Sequence, residues 1–136
     1  MVHTGSCQCG DVRLEIDSDP VFSGHCACTD CQRTSGAGHA TVVVFMQAQL
    51  KASGKTTRYS YVGDSGGDAM REFCSRCGSR LLARSTAAPG MVAVAAAVLD
   101  DQSIVKPEAA LYMRSKAHWD LIDPSLPAFE TVPPAP

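Results

Sequence analysis

The chain has 136 residues, 45% of them apolar, which is enough for one folded domain and too little for a second full-sized one. Its 12 basic and 14 acidic residues leave a net charge of −2. That balance argues against a nucleic-acid or membrane-surface binder, either of which needs a basic excess to meet phosphates. The longest apolar stretch, Met91–Leu99, falls well short of the roughly 20 residues of a membrane span. Met1–Cys7 lacks the basic start and apolar centre of a secretory leader, so a cytoplasmic protein is expected.

Taken in chain order, Val12–Ile16 alternates apolar and polar residues as a half-buried strand does. Cys28–Ser35 is a candidate short helix. Ala40–Phe45 is a valine-rich run that suits a buried strand. Arg58–Val62 alternates again, Met70–Phe73 leads into a cysteine pair, and Arg80–Arg84 leads out of it. Met91–Leu99 is rich in alanine, which favours helix, but its valines and its flanks, Pro89-Gly90 and Asp100-Asp101, predict a strand. Ser115–Leu121 is the second candidate short helix. The residues from 131 to 136, ending in Pro133-Pro134-Ala135-Pro136, read as a flexible tail. Many short strands broken by turns such as Gly63–Gly67 predict a mainly β, mostly antiparallel fold in one domain spanning residues 1–136.

The 7 cysteines are an odd number and cannot all pair with one another. In a reducing cytosol, clustered cysteines bind metal more often than they form disulfides. Cys7 and Cys9 form a C-x-C pair followed by Gly10, and Cys74 and Cys77 form a C-x-x-C pair followed by Gly78. Glycine can take the positive φ of a tight knuckle in which backbone N–H groups point at the thiolates. These two pairs would make one closed, tetrahedral structural zinc site. Cys26, Cys28 and Cys31 form C-x-C-x-x-C and could hold a second zinc with one position open, the arrangement of catalytic zinc. Spacing alone leaves open whether this triplet carries a metal or free, redox-active thiols.

The ordered set of motifs resembles the glutathione-dependent formaldehyde-activating enzyme family, which includes centromere protein V. The matching residues are Gly5-x-Cys7-x-Cys9-Gly10, the run from His25 to Gly36, Phe73–Ser79, Val98-Leu99-Asp100, Lys116-x-x-Trp119 and Leu126-Pro127-x-Phe129-Glu130. The resemblance implies a zinc-stabilised, Mss4-like β fold. It also implies a structural zinc on Cys7, Cys9, Cys74 and Cys77, with a second on Cys26, Cys28 and Cys31. One departure is visible: members often carry histidine between the first two cysteines of the triplet, where this chain has Ala27. The implied activity joins glutathione to formaldehyde, a carbon–sulfur lyase reaction when run in reverse.

The expected chemistry is therefore a substrate thiol bound at the open position and attacking an aldehyde carbonyl. Arg33, two residues after the triplet, is a candidate to offset negative charge. His25 and His39 are candidates to move a proton. Asp30 reads as a turn or cap residue, and Trp119, the sole tryptophan, reads first as a packing anchor and second as a cover for the pocket. Two other classes of function stay open at this point: a zinc-stabilised protein-interaction module, and a redox sensor built on the triplet.

Overall fold

In Arg13–Ile16, Leu14 and Ile16 are buried while Arg13 and Glu15 face solvent, so the sequence alternation becomes a sheet with one wet side. The computed structural model describes residues 1–134. Its strands are β1 (His3–Ser6), β2 (Arg13–Ile16), β3 (Phe22–Cys26), β4 (Ala40–Met46), β5 (Leu50–Ser53), β6 (Thr56–Val62), β7 (Asp68–Cys74), β8 (Arg80–Ser85), β9 (Met91–Ala95) and β10 (Ala109–Leu111). One α-helix, α1 (Thr29–Ser35), follows β3. Sheet residues dominate, in agreement with the expected mainly β class.

The strands form a three-stranded sheet, β1-β2-β5, and a seven-stranded sheet, β10-β3-β4-β9-β8-β7-β6. Between them lies the core: Val12, Leu14 and Ile16 against Val43, Phe45, Leu81, Leu82, Val92 and Val94. Every named strand pair is antiparallel except β10 with β3, which is parallel. The expectation of an antiparallel fold is corrected at that edge. There Ala110 donates its N–H to Pro127 O and accepts from Phe129 N, so the C-terminal segment runs beside β10.

Four further expectations change. The strand from Met91 ends at Ala95, and Ala96–Val98 turns as a 3₁₀ segment. Val92 and Val94 supply the buried, β-branched positions, whereas Ala95-Ala96-Ala97 has no such side chain to hold it in a sheet. Ser115–Leu121 is not a helix. Met113–Ser115 makes a 3₁₀ turn, and neighbours take its backbone groups: Gln32 Nε2 donates to Ser115 O, and Met113 N donates to Phe129 O. Trp119 is 61% exposed and so anchors no core. The expected tail is tied at its start, because Tyr112 N donates to Thr131 O at 2.9 Å, and residues 135–136 at its end lie outside the described residues.

One irregularity positions the site. Glu72 pairs with Leu82 but Phe73 pairs with Arg80, so Leu81 is an extra residue in β8. This bulge buries both Leu81 and Leu82 and turns Arg80 away from the core, onto the outer face of the large sheet.

Candidate active site

The two glycine-flanked cysteine pairs meet as expected, and they fold alike. Gly10 (φ 83°) and Gly78 (φ 77°) both take the left-handed conformation that their knuckles require. Gly10 N donates to Cys7 O, and Gly78 N to Cys74 O. Backbone amides then point at sulfur: Val12 N lies 3.3 Å from Cys7 Sγ, and Arg76 N lies 3.4 Å from Cys74 Sγ. The sulfurs of Cys7, Cys9, Cys74 and Cys77 all lie within 4.8 Å of one another. Cys7 Sγ is 3.5 Å from Cys9 Sγ, and Cys9 Sγ is 3.8 Å from Cys74 Sγ. A tetrahedron of thiolates around a metal at ~2.3 Å has edges of about 3.8 Å, so the donor set fits zinc. In the absence of metal the cluster is electrically uneven. Hydrogen bonds from Ser79 hold the Cys77 thiol down at about 5, while desolvation and then the neighbouring sulfurs outweigh the amide of Asp11 and push Cys9 up to about 12.

Cys26, Cys28 and Cys31 also gather within 4.8 Å, and this cluster has three sulfurs rather than four. Cys26 ends β3, and Cys28 caps α1 by accepting from Cys31 N at 3.2 Å. Cap and cluster are therefore one local structure: the turn that starts the helix brings Cys31 back over Cys28. Cys31 carries the negative charge of the group. Hydrogen bonds from the Cys26 and Cys28 thiols bring it down to about 3, with the Arg80 guanidinium helping, and Cys26 is pushed far up in exchange.

The cation beside this cluster is Arg80. Arg33 is exposed on α1, whereas Arg80 Nη1 donates to Thr34 Oγ1 at 2.8 Å and its buried Nε has no partner among the described residues. Tyr61 and Tyr112 are near enough to feel the sulfurs' charge. Burial raises the Tyr61 phenol, with Asp30 and Cys31 adding to the effect. Burial likewise raises that of Tyr112, with Cys26 adding to it. Tyr112 is the single non-glycine residue with positive φ (55°) among the described residues. Its backbone is pinned by Thr131 O and Ser115 N. No sequence signal marks Arg80, Tyr61 or Tyr112, since the bulge, the edge strand and the strained turn that deliver them depend on long-range pairing.

His25 and His39 come together with each other rather than with the sulfurs. His25 and Cys26 are consecutive in β3, so their side chains leave opposite faces of the sheet. The His25 ring meets His39 edge-on with centroids 4.7 Å apart, and His25 Nδ1 lies 2.8 Å from Thr41 Oγ1. Burial lowers the His25 pKa, and His39 lowers it further. His39 Nδ1 lies 2.7 Å from Oδ2 of the buried Asp120. Asp30, between the triplet's ligands, is the acidic residue of the first turn of α1.

A cleft of about 800 Å³ is lined by His39, Thr41, Thr34, Arg80, Ser79 and Gln102 among others. It runs from the cysteine–glycine knuckles to the C-terminal end of α1. Arg80, which also stands beside Cys31, and His39, held by Asp120, both line this cleft, so it can receive an anionic ligand and move a proton. Among the described residues no helix is long and apolar enough to cross a membrane.

Residues 2–115 match the sequence profile of the family described as glutathione-dependent formaldehyde-activating enzyme. A Halomonas elongata protein, whose name assigns it to the same enzymes, is 30% identical over 125 residues, covering 88% of this chain and 80% of that protein. A crystal structure of a Rhodobacter sphaeroides protein superposes with a TM-score of 0.58 at 24% identity, covering 71% of this chain and 87% of that one. The last likeness speaks for the fold alone.

Proposed function

The chain belongs to the glutathione-dependent formaldehyde-activating enzyme family, and from that premise we propose that it is a zinc-dependent carbon–sulfur lyase. Its reaction makes and breaks the bond between a glutathione-like thiol and a small aldehyde. The observation that carries this reading is the inequality of the two sulfur clusters: four close a tetrahedral set, and three leave one corner for a ligand. Zinc held by Cys26, Cys28 and Cys31 would keep a thiol at that corner deprotonated yet nucleophilic.

The chain's own residues supply the rest. Arg80 takes the part foreseen for Arg33 and offsets the negative charge that a further thiolate brings to the cluster. The ligand sulfur attacks the carbonyl carbon, a C–S bond forms, and C=O becomes C–OH. The proton given up by the thiol ends on that oxygen, and no electrons are transferred to or from a cofactor. His39 serves as the carrier: Asp120 engages its Nδ1, and the ring lies on the cleft that Arg80, the cation of the thiol cluster, also lines. His25 acts as a positioning residue, packed against the His39 ring. A reducing cytoplasm suits an open thiol set.

The test is exchange NMR between isotope-labelled formaldehyde and its glutathione adduct. The wild-type protein accelerates the exchange, and Cys31→Ser abolishes the acceleration while the four-cysteine site keeps its metal. Wild-type protein that carries metal at both clusters and leaves the exchange at the rate in buffer would refute the proposal.

A further inference from the structure

Strands β6, β7 and β8 carry Arg58, Arg71, Arg80 and Arg84, and strand register divides these between the two faces of the sheet. Arg58 pairs across to Glu72, which pairs to Leu82, so Arg58 and Arg84 lie on the core side. Both reach the buried Glu72 carboxylate, at 3.1 and 3.5 Å. Arg71 lies on the other side: it pairs with Ala83, then Ala93, Val44 and Phe22 in turn, and Cys26 follows Phe22 on the same face of β3. The bulge brings Arg80 to that face too. Neither Arg71 nor Arg80 has a carboxylate partner among the described residues.

Arg71 is nevertheless held in place. Its guanidinium lies 4.7 Å from the Tyr59 ring centroid and 5.4 Å from that of Tyr61, and the two rings stack 5.8 Å apart at 21°. Stacking on ring faces fixes the guanidinium plane while leaving its N–H donors free for a ligand. Arg80 connects this cradle to the triplet: it pairs with Phe73, two residues from Arg71 on the same face of β7, and its Nη1 donates to Thr34 Oγ1 on the helix that carries Cys31. The outer face thus offers Arg71, preorganised and without a carboxylate partner among the described residues, next to the Arg80 that serves the thiol cluster.

We propose that Arg71, cradled by Tyr59 and Tyr61, is the specificity-determining residue that binds a carboxylate of the ligand whose sulfur sits at Cys26, Cys28 and Cys31. The inference rests on the thiol-binding function proposed above and adds a residue to it. A guanidinium fork accepts a carboxylate bidentately whether the acid belongs to the thiol or to the carbonyl compound.

The test uses the full chain loaded with cobalt(II), whose thiolate absorption reports ligand binding. Wild type, Arg71→Gln and Arg71→Lys are titrated with mercaptoethanol, mercaptopropionate and glutathione. Wild type favours the acidic thiols over mercaptoethanol by about tenfold or more. Arg71→Gln removes that preference and leaves mercaptoethanol binding unchanged, and Arg71→Lys keeps part of it. A second arm fixes mercaptoethanol as the thiol and compares formaldehyde with glyoxylate, an aldehyde acid. If the acid belongs to the carbonyl compound, Arg71→Gln raises KM for glyoxylate alone. Thiol binding with every acid-to-neutral ratio unchanged by Arg71→Gln in both arms, in variants whose circular dichroism matches wild type, would overturn this inference alone. Absence of any spectral response to every thiol would overturn the thiol-binding function and this inference with it.

Discussion

Arg80 Nη1 donates to Thr34 Oγ1 at 2.8 Å, tying β8 to the helix on which Cys31 stands. The contact exists because one extra residue in β8, Leu81, turns Arg80 out of the core and toward the sulfurs. In zinc-depleted protein Cys31 is the thiolate of the triplet, held at about 3 by its sulfur neighbours and by Arg80. A depressed thiol contributes stability that is present above its unfolded value, about 8.5, and lost as pH falls toward the folded one. Alkylation followed by mass spectrometry therefore finds Cys31 modified first, and still modified at mildly acid pH. Arg80→Gln moves the midpoint of that modification upward. A midpoint near the free-thiol value in the wild type would contradict the assignment.

Removing metal from the four-cysteine cluster costs the fold more than removing it from the triplet. Cys9 and Cys74 are 65 residues apart, and their sulfurs meet where the N-terminal hairpin touches the β7–β8 turn. Zinc there would act as a cross-link between distant segments. Cys9→Ser is expected to lower stability by about 4 kcal/mol or more, and Cys28→Ser by much less. Thermal unfolding of the two variants, with and without chelator, checks the order.

Gly38 controls the Asp–His pair. A Cβ at Gly38 would stand 2.2 Å from Asp120 Cγ, so Gly38→Ala must displace the carboxylate that holds His39. The expected cost is about 1–3 kcal/mol in stability, with adduct exchange slowed. Asp120→Asn slows exchange at smaller cost to the fold, since it keeps the volume and changes only the charge at His39. Both variants retain full metal content, which separates a proton-handling defect from loss of the site.

Glu72 is the counter-ion for the core side of the sheet. It accepts from Thr56 Oγ1 at 2.8 Å and from Arg58 and Arg84, and its side chain is 7% exposed. Glu72→Ala leaves Arg84 largely buried without its partner, and the expected loss is about 3 kcal/mol or more by denaturant unfolding. A loss below about 1 kcal/mol would mean that Arg84 escapes to solvent.

The sequence was most readable where a local pattern has a local cause. Leu14 and Ile16 alternate into the core, and the two cysteine–glycine knuckles need a positive φ that glycine supplies. Cys28 caps the helix that carries Cys31, as a short helix over Cys28–Ser35 anticipates. Legibility fails where distant pairing decides the outcome. Strand β10 joins β3 in parallel through residues with no strand signal of their own, and Ser115 gives its carbonyl to Gln32 instead of to a helix. Arg33 is nearer the triplet in sequence than Arg80, yet the bulge brings Arg80 to Cys31. His25 adjoins Cys26, yet the pleat of β3 sends the two side chains to opposite faces.

The central claim is that the 7 cysteines divide into a closed set and an open one, each holding zinc. Elemental analysis of anaerobically purified protein tests this most directly, with Cys31→Ser measured alongside. The expected result is about two zinc ions per chain in the wild type and about one in the variant, lost from the triplet. About one zinc in the wild type, unchanged by Cys31→Ser, would contradict it.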